Sequence, residues 1–264
     1  MRTLILPLCA ALLLLSCDSK NESPISINLN PGKSDKPART QQHDMEFDEI
    51  KVSESINAEI VKSDVEKVVI TAPANMLDDI LVENDKGELH IHFKPGLNLS
   101  GRNVAAKIFA RDFSKVEANS SARITIKDKF TQDRTEVEVS SSAQITGDLE
   151  ANDLSIEASS TGTFTGKVWA VNLEADASSS GKIDISGKTK LADLHASSSG
   201  TIAAQDFTAQ NAEIKASSGG NVRAGVSDVL NAEASSGGSI SVLKKGNLQV
   251  ASQNENSGGN ISVQ

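Results

Sequence analysis

Aromatic residues and thiols are the scarcest features of this sequence. Its 264 residues include no tyrosine, one tryptophan (Trp169) and two cysteines (Cys9 and Cys17). Sugar-cleaving sites favour aromatic platforms, so a surface lined with many of them is excluded. Cysteine is too sparse for a disulfide framework or a thiolate zinc site. Basic runs are also missing, and the formal charge is −9. That balance argues against binding nucleic acid or an anionic bilayer surface, and fits a soluble acidic exterior. The only long apolar run is at the N-terminus.

That run reads as an address and not as fold. Arg2 is followed by Leu4, Ile5, Leu6, Leu8 and Ala10 through Leu15. A bilayer-spanning helix needs roughly 20 apolar residues, so the segment is too short to span and fits a signal peptide over residues 1–16. It ends in Leu14-Leu15-Ser16-Cys17, which resembles the bacterial lipobox. Cys17 is therefore the expected lipidation site and the new N-terminus. Two or more acyl chains, at about 0.8 kcal/mol per buried CH₂, make such an anchor stable. Cys9 would leave with the signal, so the mature chain keeps no thiol for catalysis or cross-linking. Residues 17–44 are rich in Ser, Asn, Lys, Asp and Pro and read as a flexible tether. The expected location is the cell envelope, lipid-anchored at the outer membrane.

The rest of the chain carries an internal repeat. The copies begin with Ser120-Ser121-Ala122-Arg123-Ile124, Ser141-Ser142-Ala143-Gln144-Ile145 and Ser160-Thr161-Gly162-Thr163-Phe164. They continue through Ser179-Ser180-Gly181, Ser198-Ser199-Gly200, Ser218-Gly219-Gly220, Ser236-Gly237-Gly238 and Ser257-Gly258-Gly259, each two residues before an Ile or Val. Successive copies lie 18–21 residues apart. Within a copy the apolar period is two, as in Leu154, Ile156 and Ala158 leading to Gly162 and Phe164, so the units are strands. One unit cannot bury its apolar side alone, whereas stacked units can. The pattern predicts an all-β fold: a single-stranded, right-handed parallel β-helix of 18–21 residues per coil, its hand set by the general preference for right-handed crossovers. An up-and-down meander or barrel of hairpins is the alternative; the near-identity of the copies favours parallel stacking. The small Ala, Ser and Gly column marks a tight corner, where Gly also permits unusual backbone angles. Residues 45–116 are strand-like but irregular, and read as the first coils or as a cap covering unpaired strand edges.

The opening Phe47-Asp48-Glu49-Ile50-Lys51-Val52-Ser53, then Ile56 to Ile60 and Val68-Val69-Ile70, resembles the start of the DUF2807 family, the auto-transporter adhesin head GIN domain family. The later Ser-Ser-Gly-x-Ile copies are similar to that family's Ser-Gly-Ser-Gly-x-Ile repeats. The resemblance covers roughly residues 45–264 and extends to lipoproteins of Bacteroidota, where the family is common. It implies a pectin-lyase-like right-handed β-helix, an adhesion role and no established enzymatic activity.

Little else in the sequence points to chemistry. Eight equivalent serines in a repeat are corner residues, since a nucleophile needs one serine made different by a base and an oxyanion hole. No Gly-x-Ser-x-Gly elbow is present. His90 and His92 lie two apart on a strand with Glu88, and are weak metal candidates. No cofactor is expected. A polysaccharide lyase or hydrolase would need carboxylates recurring on one face, and Asp148, Asp153, Asp184, Asp193, Asp206 and Asp228 scatter along the repeat. Trp169 could stack on a ligand, but the expectation is a partly buried core residue. The reading is a non-catalytic binding, adhesion or structural module with a protein or glycan partner; the alternative is a polysaccharide-acting or polysaccharide-binding β-helix. Replacing Cys17 by Ala should release the protein from the membrane fraction. Protease added to intact cells should then degrade the wild-type chain if it faces outward, and full protection excludes direct adhesion to other cells.

Overall fold

The computed structural model describes residues 37–97 and 103–264. Cys17, the signal segment and most of the expected tether lie outside the described residues. The strands are β1 (Ala38–Asp44), β2 (Glu49–Val52), β3 (Asn57–Lys62), β4 (Lys67–Pro73), β5 (Ile80–Asp85), β6 (Glu88–Phe93) and β7 (Ala105–Ala110). Then come β8 (Lys115–Ala118), β9 (Arg123–Ile126), β10 (Phe130–Val139), β11 (Gln144–Thr146), β12 (Leu149–Ala158) and β13 (Thr163–Ala177). The last are β14 (Lys182–Ala196), β15 (Thr201–Ala216), β16 (Asn221–Ala234), β17 (Ser239–Lys244), β18 (Gln249–Glu255) and β19 (Asn260–Val263).

From β8 onward each coil pairs in parallel with the next, and the register matches the sequence repeat. Ile124, Ile145, Phe164, Ile183, Ile202, Val222, Ile240 and Ile261 stand in one column. All are buried. A second column runs Ala118, Val139, Ala158, Ala177, Ala196, Ala216 and Ala234. Each large side chain in such a core contributes roughly 1.5–3 kcal/mol on burial. The fold is an all-β solenoid of stacked parallel strands.

The irregular first part is both coil and cap, threaded out of order. β2 pairs in parallel with β6 on one side and β8 on the other. β3 likewise lies between β7 and β9. The end coil is therefore built from later residues than the coil it covers. Antiparallel strands then close it: β5 on β6, β4 on β7 and β1 on β4. β1 falls inside the stretch whose composition reads as tether. Its seven residues are almost wholly exposed, so backbone pairing and not hydrophobic burial holds it, and hydropathy carries no trace of it.

The corner corrects one expectation in part. In the first five copies the positive backbone angles belong to serine or threonine, as Ser120 and Ser121 have φ of 51° and 66° and Ser179 and Ser180 of 48° and 64°. Only in the last three does Gly219, Gly237 or Gly258 take the second position. Two consecutive positive φ values define a type I′ turn. It is closed by Ala143 N–H to Ser140 C=O at 3.0 Å and Gly181 N–H to Ser178 C=O at 2.7 Å. Neighbouring turns bond to one another, as Ser142 N–H donates to Ser160 C=O at 3.1 Å and Ser180 N–H to Ser198 C=O at 3.1 Å. The glycine that follows serves close approach instead. A Cβ on Gly181 or Gly200 would sit 2.1 or 2.0 Å from the carbonyl oxygen of Ala158 or Ala177 in the preceding coil. A ninth turn, Glu54-Ser55, has the same angles and donates from Ser55 N–H to Ser120 C=O at 2.9 Å. Glu54 and Ile56 replace the usual Ser and Gly there, which hides it from the repeat pattern.

Gly200→Ala should lower stability by about 1–3 kcal/mol, because backbone must move to admit the methyl group. Gly237 also has positive φ but open space around it, and Gly237→Ser restores the residue used in earlier copies. Its effect should stay within about 1 kcal/mol. Thermal denaturation of the two variants checks the contrast, and equal midpoints would contradict the close-approach explanation.

Candidate binding surface

Parallel register turns outward-facing positions into columns along the axis, so each face of the solenoid has its own character. On the face built from β8 and the C-terminal halves of β10 and β12–β16, one column reads Glu117, Glu138, Glu157, Asp176, His195, Lys215 and Glu233. Its neighbour reads Lys115, Glu136, Ser155, Glu174, Asp193, Glu213 and Asn231. Carboxylates therefore do recur at one position, contrary to the scatter read from the aspartates. The sequence count missed them because most are glutamates.

Like charges on adjacent strands destabilise a sheet, and interleaved bases offset this. Lys115 Nζ donates to Glu136 at 3.1 Å and Glu138 at 2.5 Å. Burial alone would lower its pKa, but the hydrogen bonds to Glu138 and Glu136 outweigh burial and raise it. Lys51 pairs with Glu117 at 3.0 Å, and His195 Nδ1 lies 2.8 Å from Asp176. Among the described residues, no group of three or more His, Cys, Asp or Glu is placed to hold a metal ion.

His90 and His92 do share a side of β6, with rings stacked at 4.1 Å between centroids. Each nonetheless has its own protein partner. His90 Nε2 is 3.0 Å from Ser53 Oγ, while His92 Nε2 is 3.1 Å from Glu83 and its Nδ1 is 2.8 Å from Phe93 C=O. Burial, followed by the His92 and Lys51 charges, lowers the pKa of His90.

Another face gathers the features that sequence reasoning missed. It is formed by the start of β10 and β12 and the middle of β13 to β15. Trp169 projects outward from it and is 48% exposed. This corrects the expectation of a partly buried residue. The strand period already contained the answer: Val168 is buried, so the next residue must face out. Glu150, Trp169, Lys188 and Thr208 stand in one column on successive coils. This column separates two hollows of about 880 Å³ each, with Glu150, Trp169 and Lys188 lining both. Lys188 Nζ lies 4.8 Å and Lys129 Nζ 5.6 Å from the indole centroid. The wall toward the capped end is supplied by Asp48, Asp112, Phe113 and Ser114.

Four of the carboxylates lining the hollows are engaged. Glu150 pairs with Lys129, Asp133 accepts the Asn152 amide at 2.9 Å, and Asp148 accepts Lys167 N–H at 3.1 Å. Asp48 accepts the Ser114 hydroxyl at 2.5 Å. The arrangement offers an apolar platform and ammonium groups in a groove, with these four acids serving to hold the wall.

Comparison with known proteins agrees with the fold. The chain resembles the crystal structure of a "putative adhesin" from Parabacteroides distasonis, with a TM-score of 0.80 at 20% identity over 87% of this chain and 98% of that one. A "putative adhesin" from Parabacteroides merdae gives 0.73 at 18% identity over 86% and 96%. A "putative lipid binding protein" from Parabacteroides distasonis gives 0.67 at 22% identity over 86% and 97%. At these identities the likeness is one of fold. Among curated proteins, no sequence matches the chain. The profile of DUF2807, described as "Putative auto-transporter adhesin, head GIN domain", matches residues 46–167 and 155–246. Repeat, fold and profile coincide over most of its length, and the chain belongs to the DUF2807 head GIN domain family.

Proposed function

We propose that this protein is an envelope lipoprotein whose solenoid is a non-catalytic adhesion module, and that the module binds glycan on the face that carries Trp169. Cys17 carries the lipid, the short segment before Ala38 is the tether, and the outer membrane is the expected site of anchoring. The family's description as an adhesin supports a binding role.

The observation that carries the reading is the placement of Trp169. The chain's one tryptophan stands exposed between two hollows and lines both of them. An indole ring presents a flat apolar surface that packs against the C–H face of a sugar, and its N–H remains available to a hydroxyl. The acids around it favour binding over cleavage. A general acid or base must exchange a proton with substrate, whereas these carboxylates hold backbone and side-chain donors of the wall.

A lone tryptophan also makes the test direct, because its fluorescence reports on this site alone. Titrating the purified protein in mild detergent with a panel of polysaccharides should shift or quench the emission for at least one of them. Trp169→Phe should retain binding in a pull-down assay, and Trp169→Ala should weaken it at least about tenfold with an unchanged melting midpoint. Release of new reducing ends from the bound polymer would make the protein an enzyme and overturn the proposal. So would an emission spectrum indifferent to every polymer tried.

A further inference from the structure

We infer that Lys188 is a resident cover on the Trp169 platform, which an incoming sugar ring must displace before it can stack. The inference rests on the glycan-binding reading above and adds the contact that regulates the site. It starts from the neighbours of the indole along the axis. Lys129 reaches the ring from the earlier coils, its Nζ 5.6 Å from the centroid. Lys188 reaches it from the coil after, at 4.8 Å. Two ammonium groups are thus already engaged by the π system that a ligand would use.

The two lysines are held differently. Lys129 is fixed by its ion pair with Glu150, which stands on the coil before Trp169. Among the described residues, Lys188 has no carboxylate within ion-pair distance, so the indole is what holds its ammonium group in place. Its four-carbon stem is flexible, and its side chain borders both hollows. Lys188 can leave the ring without breaking an ion pair, whereas Lys129 cannot.

A lysine stem laid over an exposed ring is first of all a way of hiding apolar surface. Phe109 on β7 is covered in the same way, with Lys67 and Lys107 at 4.9 and 5.3 Å. Trp169 differs in bordering two hollows of about 880 Å³ each, so its cover lies over a binding site. Taken together, the hollows are lined by acids and bases in equal number. No net field then draws a charged ligand in, and affinity rests on contact with the ring and the walls. A single sugar gains little by replacing one ring contact with another. A longer glycan also reaches polar groups of the wall, such as the exposed Thr131 and Gln210, and displaces the lysine. The cover selects polymers over free sugars.

The test uses acrylamide, a small neutral quencher, on the purified full-length protein. Trp169 is the chain's one tryptophan, so quenching of its emission measures how open this ring is. Lys188→Ala should raise the quenching constant, Lys188→Arg should keep it low, and Lys215→Ala on the carboxylate wall should leave it unchanged. The melting midpoint of Lys188→Ala should stay within about 4 °C of wild type; a larger fall would assign the lysine to holding the wall and overturn the inference. Polysaccharides of the panel above that bind the wild type should bind Lys188→Ala about two- to fivefold more tightly. An equal quenching constant in Lys188→Ala and wild type would overturn the inference. So would weaker polysaccharide binding by Lys188→Ala, which would make the lysine a ligand contact and leave the glycan-binding reading standing. A raised quenching constant, with no polysaccharide bound by either protein, would keep the cover and overturn the glycan-binding reading instead.

Discussion

The structure depends on backbone contact at its corner. At each of the eight repeat turns two residues adopt positive φ and the third is Gly or Ala; where it is Gly, its Cα lies against the carbonyl of the coil before it. Amide-to-carbonyl bonds between successive turns continue that seam along the axis. A left-handed conformation costs an ordinary residue roughly 1–2 kcal/mol, yet serine holds the first turn position in eight copies. The cost is offset because every turn is bonded to its neighbours and cannot relax alone. With the seam fixed, the stagger between coils is fixed too. The columns of isoleucine inside and of charge outside follow from that one constraint.

Much of this was legible in the sequence because a solenoid writes its register into the chain. The serine and glycine markers fall on the turns, and the residue two positions after Gly181, Gly200 or Gly220 falls in the core column. Residues 45–116 were less legible because the cap breaks the link between chain order and spatial order. No repeat spacing can show that β6 and β7 lie outside β2 and β3. The exposed strand β1 is held by hydrogen bonds that leave no mark on composition. Trp169 was misjudged for another reason. Its bulk suggested core, while the alternation of Val168 and Ala170 pointed it outward, and for a single strand position the alternation is the stronger evidence.

The two faces show how little sequence change separates inert wall from candidate site. The carboxylate ladder and the groove beside Trp169 share one backbone design and differ in outward residues, which lie outside the buried core columns. Such positions are free to vary without disturbing the seam. That freedom explains why the fold is recognisable at 18–22% identity.

The out-of-order cap has a consequence for how the molecule assembles. A coil in the regular stack finds its partner within about one repeat of chain, and the entropy of closing so short a loop is modest. The β2–β3 coil must wait for β6–β7 on one side and for β8–β9 on the other. Contacts that span so much chain form slowly. The repeats after β8 are therefore the natural nucleus, and the capped end is the last to close even though it leads the chain in synthesis.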